Sequence, residues 1–412
     1  MQRRVFLRAG GLAAVGFGAL PRFVLRAAEA ADGARRRRVL VVVFQRGAND
    51  GLNTVVPHGE RAYYDARPSI AVPRPNGGTD AALDLDGHFG LHPALAPLVP
   101  LWREGSLAIV HAIGSPDATR SHFDAQDFME SGTPGRKATD DGWMNRALLA
   151  APERDATPLR AVSLSAELPR SLQGRAPAVA FARLREFGVR PWAGPSAARG
   201  FEGMYHEAVD GALRGAGREA FAAMDALKRA QVAADTSTGQ DAGYPNAPLG
   251  EALRQIALLV KADVGLELAF AEAGGWDTHA GQVAQQAARL RELGSTLAAF
   301  QRDLGPRAAD VVLVTLTEFG RTVRENGNRG TDHGHGSVSL VLGGPVRGGH
   351  VRGHWPGLHG RDLYEHRDLP VTTDFRALLA ELLVRHVGVT DVASVFPGFD
   401  ARPSVFPGAL RS

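Results

Sequence analysis

Several short stretches of this chain gather side chains able to hold a metal or an anion. Gly274-Gly275-Trp276-Asp277-Thr278-His279 sets a carboxylate and an imidazole two residues apart, so on an extended segment both face the same side. Thr331-Asp332-His333-Gly334-His335-Gly336 packs three more candidate ligands into four residues, with glycines that let the backbone bend. Mixed Asp/His sets suit zinc, manganese or iron, while oxygen-only sets suit calcium or magnesium. A divalent ion of the first group is therefore the expected cofactor, its identity open. The alternative for both stretches is a loop held by hydrogen bonds.

Other polar clusters carry two readings each. Asp50, in Asn49-Asp50-Gly51, is either a ligand or an Asx-turn residue. Ser121, in Thr119-Arg120-Ser121-His122-Phe123-Asp124, stands where a helix is expected to begin. It is either an N-cap or a nucleophile, because a helix N-terminus favours negative charge and a metal activates a hydroxyl. Glu318 and Arg321 form either a local salt bridge or part of a site. Arg46, Arg120 and Arg321 are candidates to clamp an anionic oxygen bidentately. The glycines of Gly343 to Gly349 come without a P-loop lysine, and neither GxSxG nor HExxH is present.

These clusters follow apolar runs. Val39-Leu-Val-Val-Val-Phe44 is a run without polar interruption, the mark of a strand buried on both faces of a parallel sheet. Similar runs at 107–111, 266–271, 311–316 and 337–342 lead into Ser121, Asp277, Glu318 and Gly343 respectively. Helical spacing marks 208–234, 249–263 and 282–303, and Thr373-Asp374 resembles an N-cap for a helix over 375–387. Strands alternating with helices predict an α/β fold: an open, mostly parallel sheet with helices on both faces. Ligands in such sheets bind beyond the carboxyl ends of the strands, so the clusters are expected to converge on one rim. Residues 39–405 are expected to form a single domain with a helical insertion at about 188–248, and no internal repeat is visible.

The N-terminus predicts export. Arg3-Arg4-Val5-Phe6-Leu7 is a twin-arginine pattern, followed by a glycine-rich apolar run and by Ala28-Glu29-Ala30 for a signal peptidase. Residues 1–30 are read as the signal peptide, handled by the twin-arginine translocase, and 31–38 as a basic leader. The alternative is an uncleaved amphipathic helix. The apolar run is about twelve residues, short of the roughly 20 a bilayer needs, so no stable membrane span is expected. Five arginines against Glu29 give residues 1–30 a charge of +4, so removing them takes the full chain's +3 to −1. That balance argues against nucleic acid as a partner. With no cysteine, a periplasmic or secreted protein of about 380 residues must rely on its core or on metal.

Taken together, Phe44 to Asn53, Arg120 to Asp124, Asp141-Gly142-Trp143-Met144-Asn145-Arg146, the GGWDTH stretch, Glu318 to Thr322 and Thr331 to His335 resemble the DUF1501 family over about residues 38–400. That family is grouped with the alkaline-phosphatase-like superfamily, and the resemblance implies a bimetal rim. It implies Asp50 as the metal-binding aspartate after the first strand, Ser121 as nucleophile, and Asp277 with His279 as the later Asp…His pair. The superfamily's Asp-His-Gly follows the next strand directly. Here Glu318-Phe319-Gly320 holds that place and Asp332-His333-Gly334 comes fourteen residues later. The site is thus either rearranged or has one metal position altered or lost. A sulfatase of the usual kind is disfavoured, because no C/S-x-P-x-R motif surrounds Ser121 and cysteine is absent.

The expectation is therefore an exported metal-dependent hydrolase of a small anionic phosphate or sulfate ester. Ser121 attacks, Arg321 steadies the anion, and Asp50, Asp277, His279, Glu318, Asp332, His333 and His335 are the candidate metal ligands. The alternative is a non-catalytic exported binding or surface-assembly protein that keeps the fold. A redox enzyme lacks any cysteine or haem motif.

Overall fold

The uninterrupted run at 39–44 becomes the centre of a large sheet, and its two faces are buried by different layers. Val39, Val41 and Val43 pack into one apolar cluster, while Leu40, Val42 and Phe44 pack into another. The computed structural model describes residues 37–137, 139–152, 159–183 and 242–411. The expected signal peptide, the expected leader up to residue 36 and the helix expected at 208–234 lie outside the described residues, as does most of the expected insertion. The chain divides into residues 1–37 and Arg38–Ser412, and the fold described is that of the second unit.

In chain order the strands are β1 (Val39–Gln45), β2 (Val55–Val56), β3 (Leu83–Asp84), β4 (Gly90–Leu91), β5 (Leu107–Gly114), β6 (Ala161–Ser163), β7 (Val179–Ala180), β8 (Leu268–Ala273), β9 (Val311–Thr317), β10 (Ser337–Gly343), β11 (Val351–Arg352) and β12 (Thr373–Asp374). The main sheet runs β11-β5-β10-β9-β1-β8-β6-β7, with β12 also on β5; β2, β4 and β3 form a small antiparallel sheet. In the main sheet only β10 is antiparallel to its neighbours β5 and β9. The other pairings, including β1 with β8 and β9, are parallel. This is the mixed α/β, mostly parallel architecture that the apolar runs predict.

Helices cover both faces. Pro248–Lys261 and Gln282–Leu304 bury Leu253, Ile256, Leu293, Leu297 and Phe300 on one side. Trp143–Ala150 and Phe375–Leu382 bury Met144, Leu148, Phe375 and Leu378 on the other. The last of these is capped by Asp374, whose side chain accepts from the Arg376 amide. Burying about ten such side chains contributes on the order of 15–30 kcal/mol before chain entropy is set against it. Removing the sheet's cover on either face would therefore unfold it. Among the described residues no helix is long and apolar enough to cross a membrane.

The direction of β10 decides the functional geometry. A chain that leaves β9 and returns along an adjacent antiparallel strand starts that strand at the same end of the sheet. The segment 318–336 therefore never leaves the rim where β1, β5, β8 and β9 end. It doubles back on itself: Gly320 N–H donates to His335 O (2.7 Å), Gly334 N–H to Gly320 O (2.8 Å) and Thr322 N–H to Asp332 O (2.9 Å). Both glycines are required by this approach, since a Cβ on Gly320 would lie 1.9 Å from Gly336 O and one on Gly334 2.4 Å from the Arg321 backbone.

Candidate metal centre

Four side chains from three rim segments meet. His122 enters from the first turn of the helix His122–Ser131 beyond β5, Asp277 and His279 from the loop after β8, and His333 from the doubled-back segment before β10. One ligand atom each from His122, Asp277 and His333 lie within 4.8 Å of one another. Asp277 Oδ1 is 3.6 Å from His122 Nε2, 3.0 Å from His279 Nε2 and 3.5 Å from His333 Nε2. His279 Nε2 and His333 Nε2 are 2.9 Å apart. Ligands at about 2.0–2.1 Å around a tetrahedral ion stand about 3.3 Å apart, and the separations of His122 and His333 from Asp277 lie close to that value, with His279 beside the triad against Asp277 and His333.

Each imidazole is held from behind through Nδ1. His122 Nδ1 donates to Glu318 Oε1 (2.8 Å), His279 Nδ1 lies 3.3 Å from Asp332 Oδ1, and His333 Nδ1 donates to the Arg120 carbonyl (2.8 Å). An outer acceptor on one ring nitrogen directs the lone pair of the other toward a metal. With protons on Nδ1, the His279 and His333 lone pairs face each other at 2.9 Å, a repulsive contact unless a cation or proton sits between them. His122 Nε2 is buried without a hydrogen-bond partner. The donor set therefore fits a divalent ion of the zinc, manganese or iron type. Asp277, Glu318 and Asp332 against Arg321 leave a charge of −2 when the imidazoles are neutral, which a dication balances.

The protonation states follow from the same contacts. The Glu318 bond, outweighing burial, holds His122 above its ordinary value. Burial pulls His333 below it, with the Arg120 carbonyl only partly opposing. Glu318 resists its own burial because His122 and Gln126 bond its carboxylate, and it is held below the usual range. Burial also opposes ionisation of Asp277, but Arg321 wins and holds it low. Asn326 and then His279 keep Asp332 ionised.

Asp277, His279 and His333 come together, and Glu318 and Asp332 stand behind His122 and His279 rather than in the ligand set. Asp50 is not brought to the group: its oxygens take Arg67 Nη1 (2.6 Å), Arg67 Nη2 (3.0 Å) and Gln282 Nε2 (2.5 Å), a buried ion pair beneath the loops. His335 also stands apart, with Nε2 on the Ser115 carbonyl (3.0 Å) and its ring against Tyr364. Arg321 is buried and fully engaged, donating to Ala48 O, Thr331 O, Gly47 O, Trp276 O and Asp277 Oδ1, so it ties the rim loops together instead of facing an anion. Arg46 and Arg120 are likewise held by Glu130 and Glu272 and by Asp368 and Glu365. Ser121 is the exposed N-cap of its helix, 3.5 Å from the Asp124 amide, with the candidate ligand His122 next in sequence.

His122 was not singled out from sequence. Its signal is its place, one residue into a helix that follows a buried strand, where its side chain faces the rim. Gln126, one turn on, confirms that face by donating to Glu318 (3.0 Å).

The model of a family described as "Protein of unknown function (DUF1501)" matches residues 106–397, and the chain belongs to that family. That span contains all four members of the group. No curated protein matches the chain.

Proposed function

We propose that this DUF1501 protein is a divalent-metal-dependent hydrolase of small phosphate or sulfate esters, with an alkaline-phosphatase-like fold and export by the twin-arginine pathway to the periplasm or beyond. The observation that carries the reading is the convergence of three imidazole nitrogens on Asp277, each ring fixed from behind by a separate acceptor. What supports hydrolysis is the position of the group, beyond the carboxyl ends of parallel strands, and its access to solvent through the half-exposed Asp277 and His279. His122, Asp277 and His333 would hold the ion, with His279 beside them, and a fourth position would be left at which the ion would supply Lewis-acid polarisation of an ester oxygen.

The protein's own groups do the rest. Ser121 offers an exposed hydroxyl at the N-terminus of a ten-residue helix, where backbone amides favour developing negative charge. Its oxygen attacks phosphorus or sulfur and the alcohol leaves, and water then frees the serine. Arg321 fixes Asp277, and Glu318 and Asp332 fix the rings.

One observation favours the second reading, a non-catalytic exported binding protein. Asp50, which the superfamily resemblance assigns to metal, and His335, a candidate from its own cluster, are engaged elsewhere, so one cation position is supported where a bimetal rim has two. Elemental analysis of untagged protein, followed by an ester screen, separates the readings. Bound zinc, manganese or iron with turnover lost in Ser121→Ala supports the hydrolase. Bound metal without turnover of any ester supports the binding protein, and folded protein that takes up no metal sinks the metal-dependent mechanism. Replacing Arg3-Arg4 with lysines is expected to block export, and unchanged export would refute the twin-arginine assignment.

A further inference from the structure

The glycine-rich segment after β10 builds a second polar site, away from the rim. Arg347, His350, Val351, Arg352, Gly353 and Pro407 line a pocket of about 320 Å³. It lies beside the edge strand β11, which pairs with β5 at Ile109 and Val110, and Gly349 N–H donates to Leu107 O. This is the start of β5, whereas the metal centre lies beyond its end.

The pocket holds two arginines and no acid bonded to either. The Arg352 guanidinium reaches one partner, the Arg347 carbonyl (2.9 Å), and its Nε is buried without any. The Arg347 side chain makes no ion pair among those of the described residues. Among the described residues, the acid that attracts Arg352 is Glu381, and its carboxylate is already committed to the Gly408, Ala409 and Leu410 amides and to Arg385. Burial, then repulsion from Arg347, pushes the Arg352 guanidinium below its ordinary value. Two like charges turned toward one pocket, one of them partly desolvated, are a cost to the fold unless an anion shares them.

From this pocket we infer an oxyanion-binding site, in which Arg347 and Arg352 receive a phosphate, sulfate or carboxylate group and His350 closes the side. The guanidinium forks suit the paired oxygens of such groups. The backbone amides of Arg347, Gly348 and Gly349 are used within the fold, so recognition falls to the side chains, unlike a P-loop. The inference does not depend on the hydrolase reading.

The test compares the intact protein with Arg352→Gln and Arg347→Gln. Inorganic phosphate is expected to raise the melting temperature of the intact protein by about 2 °C at ten times Kd, above a chloride control of equal ionic strength. Both variants should lose most of that shift while keeping their metal content. Phosphate bound at the rim would stabilise all three proteins alike, so an equal shift in each overturns the assignment. Vesicles with and without phosphatidylglycerol separate the sources. Arginine-dependent flotation with anionic vesicles alone assigns the site to a lipid headgroup, and a phosphate shift alone assigns it to a free anion. Neither response in the intact protein overturns the proposal.

Discussion

Glu318→Gln isolates the charge behind the metal centre. Glu318 Oε1 accepts from His122 Nδ1 (2.8 Å), Gln126 Nε2 (3.0 Å) and Gly47 N–H (2.8 Å), while Oε2 faces Thr317 Oγ1 (3.0 Å). A glutamine can place its carbonyl oxygen in the first position and its amide against the threonine hydroxyl, so shape and bonds survive and one negative charge goes. From Glu318 across the imidazole to an ion is about 6–7 Å, taking the 2.8 Å bond, the ring and a bond of about 2 Å. The ion replaces the proton that Glu318 favours on His122, a net gain of one charge. At an effective dielectric of about 20 that gain is worth about 2.5 kcal/mol. The expected result is a loss of metal affinity near the upper end of the ten- to hundredfold range for outer-shell changes. Competition with a chromophoric chelator measures it. That figure applies while His122 is protonated in the intact protein, so the gap should widen as pH rises above the raised value of His122, where the ion no longer competes with a proton. A folded variant with unchanged affinity would refute the claim that His122 is a ligand organised by Glu318.

The other predictions address residues whose roles the fold reassigns or protects. Arg67→Met leaves Asp50 buried and uncompensated, so unfolding free energy should fall by about 3–5 kcal/mol in urea, while elemental analysis finds the metal content unchanged; lost metal would return Asp50 to the ligand set. Asp277→Asn should abolish metal uptake, and because Arg321 keeps carbonyl partners at Ala48 and Thr331 the variant should still fold by circular dichroism. His92, His111 and His386 are each pushed down by burial to about 4. The unfolded chain takes up these protons first, near its ordinary value of 6.5, so stability is present above that pH and is lost as pH falls toward 4. With three sites, the loss approaches about 4 kcal/mol per pH unit inside that window, and a urea midpoint that stays flat from neutral pH to about 5 would contradict it.

The sheet was legible because burial on both faces leaves a signature that needs no tertiary context. Five apolar runs predict five of the main strands to within a few residues, and the third begins at Leu268 rather than 266 because Leu266 and Glu267 precede the paired segment. The short strands β6, β7, β11 and β12 carry two or three residues each, too few for a period to show. Asp277, His279 and His333 stand out in sequence because aspartate and histidine cluster there among glycines, and the fold brings these three together, whereas Asp332 and His335 of the same cluster stand behind His279 and on the Ser115 carbonyl.

What the sequence hid was direction. A strand's apolar run reads the same whether the strand is parallel or antiparallel, so the placement of Asp332-His333-Gly334 fourteen residues after Glu318 looked like a displaced motif. The reversal of β10 removes the displacement: both ends of the 318–336 segment lie at the rim, and Arg321 pairs with His333 across the turn. The same reversal explains why Glu318 stands where an aspartate ligand was expected. The doubled-back chain delivers His333 beside Asp277 and His279, and the longer glutamate side chain reaches the back of His122 instead. The 2.8 Å bond from His122 Nδ1 to Glu318 then follows from topology, and the group member missed in sequence is the one that bond holds in place.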